Sequence, residues 1–218
     1  LSDGTDSLTD IRIENLQLAF EGEIRVGNRV VDYFNDKGYT TISNNKITHL
    51  KNDIKTWDEE WYPKDISWRN YQDAENRILN INKKPAAAYE RLDVDDSVYF
   101  DGQTALKTIE DLKKLKASNQ SFFLAVGFVK PHLPFTAPKK YWDMHKAEKF
   151  KIEKITNLPI GSPKVAGKRG GEISNYKPVP ADRNAKISES LQLSLMHGYY
   201  ASVTYADAQI GRVLNALD

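Results

Sequence analysis

From Glu23 to Lys37 apolar side chains recur at Ile24, Val31 and Phe34, a helical spacing interrupted at Gly27, and Gly38 follows where a left-handed residue ends a helix. Tyr39 to Ser43 then reads as a short strand, and Asn44-Asn45 predicts that it opens into a loop carrying Lys46 and His49. Farther on, Leu106, Ile109, Leu112 and Leu115 mark one face of a helix that starts at Asp101-Gly102-Gln103 and ends near Ala117. The strand after it, Ser121 to Phe128, is apolar without alternation, which predicts cover on both faces as in the centre of a parallel sheet. Helix, tight turn and strand thus occur twice, and the predicted class is α/β.

The rest of the chain is less regular. Residues 50–100, rich in Asn, Asp, Lys and Trp, carry neither periodicity and read as an irregular excursion. Residues 146–185 hold Pro159, Pro163, Pro178 and Pro180 and the run Gly167 to Gly171, too many breakers for a regular element. From about Ala185 to Leu217, Leu191, Leu195, Tyr199, Ser202, Ala206, Ile210, Val213 and Leu217 step by three or four, predicting one long helix. Two convincing strands do not make a stable α/β sheet, so further strands are expected from chain outside this sequence or from segments that read as irregular.

Composition narrows the function classes. The 218 residues amount to one domain or slightly more at about 150 residues each. With 40% hydrophobic and 28% charged residues the chain has enough apolar side chains to order a core. A formal net charge of +1 and the lack of a basic run interleaved with aromatics argue against nucleic acid as a partner. The longest apolar run, Phe122 to Val129, is less than half of a membrane span, so no membrane partner is expected. The sequence opens on Leu1-Ser2-Asp3-Gly4 without Met or a leader pattern and reads as the middle of a longer protein. Zero cysteines exclude a disulfide, a thiolate metal site and a Cys nucleophile within these residues.

Candidate chemistry gathers at the carboxyl ends of the two strands, where open parallel sheets bind ligands. The first delivers Lys46 and His49; the second delivers Lys130-Pro131-His132-Leu133-Pro134-Phe135. Pro131 and Pro134 restrict their neighbours and would hold His132 with little freedom. Lysine and imidazole converging on one point suit a tetrahedral oxyanion such as sulfate or phosphate.

Phe122 to Phe135, FFLAVGFVKPHLPF, resembles the signature of the iduronate-2-sulfatase-like branch of the type I sulfatases, in the alkaline phosphatase superfamily. Gly38 to Ser43 with Lys46 and His49 resembles that family's Lys-x-x-His loop, Trp57-Asp58-Glu59 its Trp-Asp-Glu, and Asp101-Gly102-Gln103 the start of its next helix. Gly171-Glu172 through Tyr176, and Gly198 through Val203 to Asp218, are similar to its later segments, so the likeness runs from about residue 30 to the end. It implies a central segment, residues 1–218, of a sulfatase catalytic domain: part of an alkaline-phosphatase-like mixed or parallel sheet flanked by helices. It further implies hydrolysis of a sulfate ester on a sulfated sugar such as a glycosaminoglycan, a formylglycine nucleophile, a calcium ion and export. By the resemblance Lys46, His49 and His132 fall on positions that contact the sulfate, His132 is the candidate to stabilise or protonate the leaving oxygen, and Lys130, which precedes it in the motif, is a further substrate-binding candidate.

The sequence departs from the family at the nucleophile motif, the paired N-terminal aspartates and the Asp-His-Gly, so formylglycine and the calcium ligands are expected in missing N- and C-terminal parts of the same protein. By that expectation the isolated chain is inactive. Met196-His197-Gly198 puts Met where a carboxylate ligand would stand, and His197 reads as a packing or surface histidine. Asp93, Asp95 and Asp96 lack EF-hand spacing and read as a solvated acidic turn; His145 reads as surface. Trp57, Trp61 and Trp68 read either as sugar-pocket walls or as loop anchors. A phosphatase or phosphodiesterase of the same superfamily, or a non-catalytic truncated relative, remains open on this reading.

Overall fold

The computed structural model describes residues 21–48, 56–64, 68–154, 158–163 and 171–217. It divides into two compact units, the first formed chiefly by residues up to Pro63 with Leu106–Phe128, the second by Lys64–Ala105 with Val129–Ala216. No helix among the described residues is long and apolar enough to cross a membrane.

In the first unit, helix α1 spans Glu21–Asp36 and continues through Gly27; the side chain of Ile24 lies outside the described set. Val31 is buried, and Phe34 stacks on Phe123 at 4.2 Å with Trp57 on the other partner at 5.6 Å. Gly38 has φ +78, the left-handed turn its position predicted. Strand β1, Thr40–Asn45, lies between β2, Glu59–Trp61, and β4, Phe122–Gly127, all parallel. This corrects two expectations. The central strand is the polar β1, whereas β4 is an edge among the described residues and only half-buried, with Phe122 exposed. The strand also continues through Asn44 and Asn45, because the buried Asn44 amide donates to Asp111 Oδ2 at 2.8 Å and Thr108 Oγ1 at 3.2 Å. It ends at Asn45, whose φ is 65. Asp58 secures the other side, its carboxylate accepting from Thr41 N at 2.8 Å and Thr41 Oγ1 at 3.1 Å.

The second unit contains most of what read as irregular. Helix α2, Ala74–Ile81, starts on Asp73, whose side chain accepts from Asn76 N. Strand β3, Tyr89–Leu92, pairs in parallel with β5, Phe135–Pro138, and short α4, Lys139–Asp143, follows. Glu90 in β3 is buried, and its carboxylate accepts from Gln72 N, Asp73 N, Asn76 Nδ2 and Tyr99 Oη at 2.8–3.3 Å. The acidic turn is solvated at Asp93 and Asp95, the latter accepting from Ser97 N, but not at Asp96, which is buried and accepts from Tyr141 Oη at 2.7 Å and Gln209 Nε2 at 3.1 Å.

Helix α3, Phe100–Ser118, begins in this unit and continues into the first. Helix α5, Glu189–Leu214, is the long C-terminal helix expected, started by Ser188 accepting from Leu191 N at 3.3 Å. It packs Ala201 and Tyr205 on Tyr99, Ala137, Tyr141 and Trp142, and Leu195 on Phe135, Tyr176 and Val179. The excursion before it is irregular where described, apart from short 3-10 turns at Ala147–Lys149 and Glu172–Asn175; Gly167 to Gly170 lie outside the described residues.

Candidate active site

The loop after β4 is built by short-range polar bonds. His132 N donates to Val129 O at 3.0 Å, and Phe135 N donates to Ala88 O at 2.8 Å as the chain enters β5. Both Lys130-Pro131 and Leu133-Pro134 peptides are cis. Beneath the loop lies Asp101, whose two carboxylate oxygens accept from Val129 N at 2.7 Å and Lys130 N at 2.9 Å. Asp101 is 1% exposed, and burial pushes its pKa up against the opposing pull of those two N–H groups and of Lys130. Nothing in the pattern Asp101-Gly102-Gln103 beyond its resemblance signalled this clamp.

His132 is oriented from the loop itself. Its Nδ1 lies 2.7 Å from Leu133 O; a carbonyl only accepts, so Nδ1 carries the proton and Nε2 is the atom left to exchange one. Nε2 sits 3.6 Å from Glu172 Oε2, an ion pair when the imidazole is protonated. The ring is in edge contact with Trp68 at 5.0 Å. With the His132 side chain 34% exposed and Glu172 44% exposed, the site is open enough for a ligand to reach the imidazole.

Lys130 behaves differently from the simple anion contact expected of it. Its Nζ donates to Pro134 O at 2.5 Å and lies 3.4 Å from His132 O, so the ammonium ties the loop together. Burial lowers its pKa to about 8, partly offset by Asp101 and Glu90. Lys46 occupies the turn after β1, where Ile47 N donates to Asn45 O at 3.0 Å. Gly127 allows this turn: a Cβ there would come within 1.9 Å of Lys46 O. His49 lies outside the described residues.

The remaining histidines have structural partners. His197 donates from Nε2 to Trp142 O at 2.8 Å and packs on Trp142 and Phe150, as a packing histidine should. His145, expected at the surface, is part-buried, with Nε2 2.8 Å from Thr204 Oγ1 and its ring against Tyr200.

These motifs have a counterpart across the chain, because residues 13–218 match the family model described as Sulfatase. The chain belongs to the sulfatase family. It is 29% identical to the iduronate 2-sulfatase of Homo sapiens over 217 residues, 89% of this chain and 38% of that protein. The Mus musculus iduronate 2-sulfatase is likewise 29% identical, over 209 residues, 87% of this chain and 36% of that one. An arylsulfatase of Clostridium perfringens is 31% identical over 107 residues, 49% of this chain and 20% of its own length. The chain thus spans well under half the length of these relatives. Sulfatases generally imply calcium and formylglycine, and the residues here do not fit either group. Among the described residues no cluster of three or more His, Cys, Asp or Glu side chains is placed to hold a metal ion, and the sequence has neither a cysteine nor a serine that opens the family's x-Pro-Ser-Arg pattern, from which a formylglycine would be made.

Proposed function

We propose that the protein carrying this chain hydrolyses sulfate esters of carbohydrates, glycosaminoglycans among them, and that this chain supplies the leaving-group acid and part of the sulfate-binding set. The observation that carries the reading is the fixed tautomer of His132. With Nδ1 donating to Leu133 O, the protonated ring has one proton to give, on Nε2, which lies 3.6 Å from Glu172 Oε2 on a side chain that is part-exposed. As a nucleophile oxygen not supplied by the described residues bonds to sulfur and the ester's sulfur–oxygen bond breaks, negative charge grows on the sugar oxygen, and the Nε2 proton passes to it so that a neutral alcohol departs. Lys46 and His49 contribute cationic contacts to the sulfate oxygens, and Lys130 adds charge while pinning the loop.

The protein carrying this chain is assayed with a sugar sulfate and with an activated aryl sulfate. His132→Ala lowers turnover of the sugar sulfate about a hundredfold or more and that of the aryl sulfate much less, since a good leaving group needs little protonation. An equal loss on both substrates reduces His132 to a sulfate contact, and no loss on either places it outside the site. His197→Ala serves as the control and leaves turnover of both esters in place.

A further inference from the structure

We propose that Trp68, with His132 and Glu172, forms the subsite for the pyranose ring that bears the ester oxygen, an inference that rests on the sulfatase reading above. The four tryptophans have different fates. Trp142 is buried, Trp57 is taken up in the ring stack with Phe123, and Trp61 ends β2 half-buried. Trp68 is 46% exposed, and its indole touches the imidazole whose Nε2 would meet the leaving oxygen. The oxygen that receives the proton is bonded to a ring carbon, so the sugar ring must extend from Nε2 over the side chains around it. Among these, Trp68 offers what a pyranose recognises: a large, flat, polarizable surface for the ring's C–H face.

Neighbouring groups hold the indole in place. The Arg69 guanidinium lies 5.4 Å from the Trp68 ring centre and 5.1 Å from that of Tyr176, and its Nη1 donates to Asn80 Oδ1 at 3.1 Å. Arg69 is thereby committed to bracing this corner. Glu172 closes the other side, its Oε1 accepting from Tyr176 Oη at 3.2 Å while Oε2 faces His132. A half-exposed carboxylate and an exposed indole, each against the same imidazole, offer a hydroxyl acceptor and a stacking surface, the combination that suits a sugar carrying several free hydroxyls. An anchor for the loop alone would have been buried, as Trp142 is.

The test uses the protein carrying this chain with three ligands: glucose 3-sulfate, whose ester oxygen is on a ring carbon, methyl sulfate, which has no ring, and inorganic sulfate as a competitive inhibitor. Trp68→Ala is expected to raise KM for the sugar sulfate about tenfold with kcat nearly unchanged, and Trp68→Phe to recover most of the loss. KM for methyl sulfate and the inhibition constant for inorganic sulfate should stay within about twofold, because neither reaches the indole. A sugar-sulfate KM that does not move in Trp68→Ala overturns the subsite, and so does an equal rise for methyl sulfate, which would make Trp68 a support for His132. If the unsubstituted protein turns over neither ester, the sulfatase reading itself fails and takes the subsite with it; turnover with an unresponsive Trp68 removes the subsite alone.

Discussion

Asp101→Asn isolates what holds the histidine loop. The substitution keeps the shape of the side chain, but an amide offers one oxygen where the carboxylate offered two, and its NH2 would face the N–H it used to accept from. Of the two bonds, to Val129 N at 2.7 Å and Lys130 N at 2.9 Å, one must be lost, leaving a part-buried N–H without its partner against a side chain that is 1% exposed. Orphaning such a donor costs about 1–3 kcal/mol. Taking about 2 kcal/mol as the central value, local opening of the loop becomes roughly thirtyfold more frequent. Global stability is a poor reporter, because removing the charge also removes the burial cost that pushes the Asp101 pKa up, and the two effects oppose each other.

Hydrogen exchange resolves the difference. The amides of Val129 and Lys130 should exchange roughly thirtyfold faster in Asp101→Asn. Amides of α5, such as Tyr205, should change little. Because His132 is held by the same turn, turnover of a sugar sulfate should fall about tenfold, more than that of an aryl sulfate. Unchanged exchange at both loop amides would refute the clamp, and faster exchange with full activity would show that the loop does not position the imidazole.

Two further outcomes follow from neighbouring residues. Gly127→Ala places a Cβ 1.9 Å from Lys46 O, so the Lys46–Ile47 turn has to move; the inhibition constant for inorganic sulfate should rise about tenfold, and an unchanged constant would remove Lys46 from the anion site. Lys130 has a folded pKa of about 8 against 10.5 for the ordinary side chain, so folding opposes its charge; this penalty is complete below pH 8 and fades as pH rises toward 10.5. Stability of the unsubstituted protein should accordingly gain on Lys130→Met between pH 8 and 10, measured by chemical unfolding, while the shared tyrosine titrations cancel in the difference. Parallel pH profiles would refute a buried, charge-disfavoured lysine.

Much of the frame was legible in the sequence. The α1–Gly38–β1 unit was marked by a glycine at the turn, β4 by its apolar run and α3 and α5 by apolar residues at steps of three or four, and all lie within a few residues of their expected ends. The elements that escaped are short or polar. Strand β2 is Glu59-Glu60-Trp61, which carries no alternation and is held in register by Asp58 bonding to Thr41, a contact 17 residues away. Strand β3 hides behind Glu90, whose burial depends on four donors from Gln72, Asp73, Asn76 and Tyr99, none of which composition alone can assign to it. At the site, the Lys-Pro-His spacing pointed to His132, but its neighbours Trp68 and Glu172 lie 64 and 40 residues away in sequence and meet it only through tertiary structure.

Helix α3 shows why the polarity of the functional segments was hard to read. Leu106, Ile109, Leu112 and Leu115 suggested one apolar face, yet Leu106 is 45% exposed. The buried residues are Phe100, Asp101, Gly102, Thr104, Ala105, Thr108, Asp111, Leu112 and Leu115, of which Asp101, Thr104, Thr108 and Asp111 are polar. Each polar group there has a use. Asp101 takes the two N–H groups of the histidine loop, Thr104 bonds back to Phe100 O, and Thr108 and Asp111 receive the Asn44 amide at the end of β1. A helix built only to bury area would carry leucines at these positions, since an apolar residue needs no partner. Buried Asp and Thr stand on α3 where the buried Asn44 amide and the N–H groups of Val129 and Lys130 need acceptors at fixed points. The weak amphipathic signal of α3 is thus a consequence of the chemistry it supports, and replacing Thr108 or Asp111 with Leu would lengthen the apolar stripe while leaving Asn44 buried without its bonds.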